Sequence, residues 1–271
     1  MATSKTARVL QGKKVVVIGG SSGLGFAAAS AFIEEGASVI IGSSSAQRVS
    51  AAVEKLSDPA VQFNADSARI RGHTVDLKGS QAESSLEEFF SKTGPFDHLI
   101  YTAGDPLATK PLSEWSYTDI INAGSVRFTS AILAVKLATS NPNLLKQNSN
   151  SSIILTTGIV AEKPMPTWTI PAGYAAALYG LTRNFALDLA EKGIRVNAVS
   201  PGPVETELWN GIPQDQRKTF LKSLGDKLMT GRVGSPEDVA NVYVYVYLAK
   251  DRNMTAQIVV TDAGSSVAET S

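Results

Sequence analysis

Lys14-Val-Val-Val-Ile-Gly-Gly-Ser-Ser-Gly-Leu-Gly25 is the stretch that decides the fold. Val15 to Ile18 is continuously apolar, as a strand buried on both faces of a parallel sheet must be. Glycines follow at positions 19, 23 and 25, and a helical stretch from Phe26 to Glu35 stops at Gly36. Strand, glycine turn and helix in that order build a cradle for a dinucleotide pyrophosphate. Gly19 permits the tight turn, Gly23 lets the backbone approach the phosphates, and Gly25 lets the helix pack on the strand. Ser21, Ser22 and Leu24 complete the loop, and the helix start adds N–H groups and partial positive charge.

Outward from this unit, strand and helix patterns alternate. Strands are expected at Val39–Ile41, Ile70–Val75, His98–Tyr101, Ile153–Thr156, Arg195–Val199 and Ile258–Thr261. Helices are expected at Ala46–Leu56, Ser80–Phe90 and Ala172–Glu191, with a long one capped by Ser113 and running to about Thr139. Residues 141–152 read as a polar loop. Val242 to Tyr247 alternates like a strand, but Ser235-Pro236-Glu237-Asp238 is a strong helix start, so a helix is expected. Apolar over most of its circumference, it belongs in the core or at a subunit contact. No repeat or composition break divides the chain. The expectation is an α/β fold, one Rossmann-type domain over residues 1–271, with a doubly wound parallel sheet of about seven strands.

Composition narrows the classes. The chain of 271 residues has 43% hydrophobic residues, enough for a sizeable core. Lys plus Arg and Asp plus Glu number 25 each, so no nucleic-acid or membrane partner is expected. There is no Cys, and the two His, His73 and His98, are not at ligand spacing, so no metal site is expected. The first residues lack the apolar core of a secretory signal, and the longest apolar run, Val242 to Ala249, is too short to span a bilayer. A cytoplasmic location is the expectation.

After the second strand stand Gly42-Ser43-Ser44-Ser45 and Arg48. A carboxylate there would hold the ribose hydroxyls of NAD; hydroxyls with a guanidinium suit a 2′-phosphate instead. NADP(H) is therefore the expected cofactor. Arg48 also reads as a solvated helix charge and the serines as a helix cap, and the roles are compatible.

The spacing Gly-x-x-x-Gly-x-Gly resembles that of the short-chain dehydrogenase/reductase family. So do Asp76 at the adenine-contacting position, Thr102-Ala103-Gly104 in place of Asn-Ala-Gly, and Asn122 at the structural and catalytic Asn position. Arg195-Val196-Asn197 and Pro201-Gly202-Pro203-Val204 with Thr206 match the segment that binds the nicotinamide, and Asp262-Ala263-Gly264 matches the C-terminal Asp-Gly-Gly. The resemblance covers nearly the whole chain. It implies Rossmann topology, a nicotinamide cofactor and a homotetramer or homodimer.

The same resemblance exposes a gap. The family's Tyr donates a proton to a carbonyl oxygen, a Lys four residues on lowers that Tyr's pKa, and a Ser orients the substrate. Counting back from Gly180-Leu181-Thr182-Arg183 puts Ala175 at the Lys position, Pro171 at the Tyr position and Gly158 at the Ser position. Of the four, Asn122 alone survives. Tyr174 offers another register, but Leu178 then stands where the Lys belongs.

Three readings follow: a non-catalytic nucleotide binder, a reductase of an electrophile that needs no proton, or a pocket that positions a pericyclic ring closure. Residues 158–171, rich in Pro and apolar side chains, suit the second and third. Glu162 can hold a cation, or serve as a surface salt bridge, with Lys163 for instance. Trp168 and Met165 can face a flat hydrophobic substrate, or Trp168 can pack beneath the loop. Arg127, just over a turn past Asn122, can bind a substrate carbonyl, pair with Glu162, or sit at a subunit contact. The whole resembles a divergent branch of the family from fungal natural-product pathways. Its members include NADPH-dependent iminium reductases that also steer a Diels–Alder closure of prenylated indole alkaloids. An ordinary carbonyl reductase drawing its proton from Thr157 or water stays as an alternative; Thr157 also reads as a strand-end residue bonded to backbone.

Overall fold

Strand β1 is Lys14–Ile18, one residue longer than its apolar run. It lies between β2 (Ser38–Ser43) and β4 (His98–Tyr101), with β3 (Ile70–Thr74) outside β2. On the other side follow β5 (Ser152–Thr156), β6 (Arg195–Pro201) and β7 (Ile258–Thr261). The computed structural model describes residues 10–248 and 253–268. All seven strands are parallel, in the order β3-β2-β1-β4-β5-β6-β7. The order reverses between β1 and β4, which opens a crevice at their carboxyl ends, where open α/β sheets bind ligands.

Two helical layers cover the sheet. Helices α1 (Gly23–Glu34) and α2 (Ala46–Ser57) bury Phe32, Ile33, Ala52 and Leu56 against Val15, Val17, Val39 and Ile41. Helix α3 (Ala82–Thr93) buries Leu86, Phe89 and Phe90 on the opposite face against Val16, Ile18 and Leu99. Alternate residues of each strand therefore feed different cores, and both must be apolar, which produces the unbroken apolar runs.

The expected long helix after residue 113 is broken. Ser113 sits in a single turn, Leu112–Glu114, and the cap is Ser116, whose hydroxyl accepts from Asp119 N while Asp119 returns a carboxylate to Ser116 N. Helix α4 (Tyr117–Ala123) ends at Gly124, and after a 41° bend there a π-helical segment, Ser125–Ser130, runs on into α5 (Ala131–Ser140). Gly124, at the junction, lies against the Tyr174 ring, with which a Cβ there would collide.

Helix α6 (Thr169–Asp188) starts three residues before the expected Ala172, and a helix not foreseen, α7 (Gln214–Gly225), follows Pro213. Helix α8 (Pro236–Leu248) is the helix its start signal promised, with Asp238 N and Ser235 N closing the reciprocal cap. Tyr243 is fully buried, its hydroxyl 2.6 Å from Thr156 Oγ1, whereas Tyr245 is exposed. Among the described residues no single helix is long and apolar enough to cross a membrane. The bent α4–α5 pair passes on length and composition, yet its Val126, Ala131, Ala134, Val135 and Ala138 lie in the core.

Candidate active site

The glycine turn is tailored to close approach. Gly19 has φ +94, and a Cβ on it would lie 2.6 Å from both Ala103 N and Thr102 Oγ1. A Cβ on Gly25 would collide with Gly19 O and Thr102 Oγ1. Thr102 locks this arrangement by donating its hydroxyl to Ile18 O at 3.1 Å, and Ala103 N donates to the same carbonyl. Ser22 stands at the N-cap of α1 without a side-chain capping bond, so the first turn of the helix is left to an external anion. Beyond β6, Pro201-Gly202 turns against Asp262, with no room for a Cβ on Gly202, and Val204 is buried. Glu207 and Thr206 then lie over the cradle, with Glu207 Oε2 3.2 Å and Thr206 Cβ 3.6 Å from the Cβ position of Gly23.

At the end of β2, Arg48 Nη2 donates to Ser44 Oγ at 2.7 Å and Ser21 Oγ donates to Ser43 Oγ at 2.7 Å. Ser45 caps α2, accepting from Arg48 N at 3.4 Å, the capping role that the sequence allowed for these serines. Asp76 is exposed at the end of β3, its carboxylate accepting from Lys78 N. The cradle, with hydroxyls and a guanidinium beside it and no carboxylate at the end of β2, fits NADP(H).

At the reacting end, Pro171 is in the first turn of α6 and buried, and Ala175 is buried one turn on. A Cβ on Gly158 would meet nothing nearer than Pro201 O at 3.9 Å. The neighbouring hydroxyls are committed to backbone. Thr157 Oγ1 donates to Ala175 O at 2.8 Å, and Tyr174 Oη donates to Ile120 O at 2.9 Å while its ring packs on Gly124 and Phe128. Thr157 as a proton source is thereby corrected: its hydrogen is spent on a helix carbonyl.

Arg127 does not pair with Glu162. It sits in the π-helical segment, against Gly104, donates from Nη2 to Asp105 O, and holds Nε 3.8 Å from the Asp105 carboxylate. That carboxylate, 8% exposed, also accepts from Val126 N and Arg127 N at 3.1 Å, the donors freed where the helix breaks. Burial pushes the Arg127 pKa down and Asp105 opposes it. Asp105 is the residue that sequence reasoning missed; its signal was an acid directly after Thr102-Ala103-Gly104. Asn122 is exposed on α4 and, with Asp105, Trp115 and Lys110, lines a cleft of about 680 Å³. Glu162 and Trp168 do not line that cleft.

The Tyr179 hydroxyl lies 2.9 Å from Ser200 Oγ, and its pKa is raised, chiefly by burial. Lys163 does not pair with Glu162; its Nζ donates to the carbonyls of Ser265 and Ala268. Trp168, half-buried, is the N-cap residue of α6, and the preceding Thr167 has φ +69, a strained conformation for a β-branched residue. Met165 is 38% exposed.

A family model described as the SDR-like Rossmann domain matches residues 6–267. The chain belongs to the short-chain dehydrogenase/reductase family. This short-chain dehydrogenase/reductase is 37% identical over 273 residues to the short-chain dehydrogenase/reductase ucsE of an Acremonium species, covering 99% of this chain and all of that protein. It is 34% identical to malC of Malbranchea aurantiaca over 274 residues, covering 97% and 98% of the two chains. The solved structure of the MalC reductase/Diels-Alderase superimposes with a TM-score of 0.85 at 33% identity over 95% of this chain and 98% of that one. A small-chain dehydrogenase in complex with NADPH aligns with a TM-score of 0.72 at 25% identity, covering 94% and 99%.

Proposed function

We propose that this protein is an NADPH-dependent reductase of an imine or iminium in a bulky hydrophobic secondary metabolite, and that the same pocket assists a Diels–Alder-type cyclisation. The observation that carries the reading is the turn of α6 where the family keeps its acid. Pro171 and Ala175 occupy it, and the adjacent hydroxyls of Thr157 and Tyr174 are bound to carbonyl oxygens. NADPH supplies a hydride when bound. A ketone would also need a proton as its oxygen gains charge; an iminium carbon is already cationic, and hydride alone neutralises it. The likeness to the MalC reductase/Diels-Alderase supports both halves of the proposal.

The chain's own groups divide the work. Ser43, Ser44 and Arg48 hold the 2′-phosphate, and the N-terminus of α1 holds the pyrophosphate. Glu162 attracts the substrate cation, Trp168 and Met165 give it an apolar wall, and Arg127, fixed by Asp105, presents a donor to a substrate carbonyl beside Asn122. The enzyme works in the cytoplasm, where NADPH is supplied, as a homotetramer or homodimer.

Glu162→Gln tests the reading. The charge of an iminium is consumed as hydride arrives, so a carboxylate binds the ground state at least as strongly as the transition state. Its loss therefore appears in KM: an increase of about tenfold for a cyclic iminium, with kcat little changed. NADPH oxidation with iminium and negligible oxidation with simple ketones is the expected pattern. Nucleotide binding without turnover of any electrophile would instead establish a non-catalytic binder, and faster turnover of ketones would establish a carbonyl reductase.

A further inference from the structure

Glu207 has no part in the roles given above, yet its carboxylate stands at the cofactor cradle. Thr206 caps the turn Glu207–Gly211, its hydroxyl accepting from Leu208 N at 3.3 Å. The chain around this turn is pinned. Gly234 N donates to Pro203 O at 3.0 Å, Glu205 N donates to Gly234 O at 2.9 Å, and Trp209 Nε1 reaches back to Val204 O at 2.6 Å. The Trp209 ring packs in turn on Phe220, with centroids 5.4 Å apart. A fixed backbone thus presents Glu207 to α1, and its Oε2 lies 3.2 Å from where a Cβ on Gly23 would stand. The side chain is exposed, and among the described residues no Lys or Arg forms an ion pair with it. Gly23 is the first residue of α1, whose N-cap Ser22 gives the helix no side-chain hydrogen bond. The absent side chain at 23 leaves one space beside the positive end of the helix. Two anions suit that space: a dinucleotide pyrophosphate and the carboxylate of Glu207.

We infer that Glu207 is a built-in competitor for the pyrophosphate. Its carboxylate faces the N-terminus of α1 in the free protein and swings into solvent when NADPH or NADP+ binds. Like charges a few Å apart at a wet surface change a binding constant severalfold without abolishing it. Exposure lets the side chain move while the pinned turn stays in place. Both oxidation states of the cofactor carry the same pyrophosphate, so the carboxylate weakens both by one factor. A reductase discards NADP+ after each hydride transfer, and a group returning to the cradle shortens the wait for that release.

The test needs the cofactor alone and is independent of which electrophile is reduced. Fluorescence titration of the full chain would give Kd for NADPH, NADP+ and 2′-AMP, the last of which carries the 2′-phosphate and lacks the pyrophosphate. Glu207→Gln is expected to lower Kd about fivefold for NADPH and NADP+ alike and to leave 2′-AMP within about twofold. Glu207→Lys, which turns repulsion into attraction, tightens both dinucleotides about tenfold or more. Stopped-flow displacement should show NADP+ leaving Glu207→Gln about fivefold more slowly, since affinity changes of this kind appear mostly in the off-rate. Raising NaCl from about 20 mM to about 500 mM should bring wild type and Glu207→Gln within about twofold, because screening removes repulsion between exposed charges. Unchanged or weaker dinucleotide binding in Glu207→Gln and Glu207→Lys would overturn the inference, and weaker binding is what a carboxylate serving only to hold the Thr206 turn would give. An equal gain for 2′-AMP would overturn it too, by showing a general charge effect and no competition at the pyrophosphate.

Discussion

Arg48 and Ser44 form a pair whose purpose is readable from chemistry: a guanidinium held 2.7 Å from a hydroxyl at the end of β2, with no carboxylate on that turn. Arg48→Ala should weaken NADPH binding about tenfold or more while leaving NADH within about twofold, and Ser44→Asp should reverse the preference. Fluorescence titration of both nucleotides against each variant checks this; equal losses for the two would contradict the assignment. The closeness of Arg48 and Ser44 was legible because they stand four residues apart at the start of a helix. Asp105 was not. Asp105 gains its role only where the chain 21 and 22 residues on brings Val126 N and Arg127 N to its carboxylate. The sequence left Arg127 able to pair with Glu162, and the structure pairs it with the nearer Asp105.

Among the elements, start signals were reliable where cap, Pro and acid agreed. Ser235, Pro236 and Asp238 overrode the strand-like alternation of residues 242–247, and α8 formed. Where serines competed, the sequence was ambiguous. Ser113 and Ser116 both precede helical residues, and only Ser116 has an acid at the third position that returns a hydrogen bond. The demand for glycine at 124 could not be read at all, since the Tyr174 ring that excludes a Cβ there is 50 residues away in the chain. Gly124→Ala should destabilise the fold by about 2–3 kcal/mol, because a methyl group there enters a packed ring and cannot be relieved at a flexible chain end. Tyr174→Leu in the same chain should recover part of that loss. Urea denaturation of the single and double variants measures it, and a Gly124→Ala protein as stable as wild type would show that the ring has room to move.

For the whole molecule, the parallel sheet fixes not only the site but the acid limit of stability. His98 begins β4 in the centre of the sheet, fully enclosed, with Nδ1 2.9 Å from Ser152 Oγ. Burial pushes its pKa down to about 3 from an ordinary 6.5. Between those values the unfolded chain binds a proton that the folded chain refuses. Stability is therefore full above pH 6.5 and is lost as pH falls, with a slope approaching about 1.4 kcal/mol per pH unit. Asp97 acts in a lower window. Burial works to raise its pKa but is outweighed by Lys146 and by the N–H of Lys14, so its contribution is present above 3.8 and lost only below. Urea midpoints at pH 7.5, 6 and 5 should fall for the wild type and stay flatter for His98→Asn; a pH-independent wild type would refute the argument. The proline at 171 has a consequence for protein engineers. Grafting Tyr and Lys back at 171 and 175 would drive an ammonium into a site 7% exposed, beside a carbonyl already claimed by Thr157. The site is built over, and installing such a pair would require remodelling the foundations of α6 together with the strand it leans on.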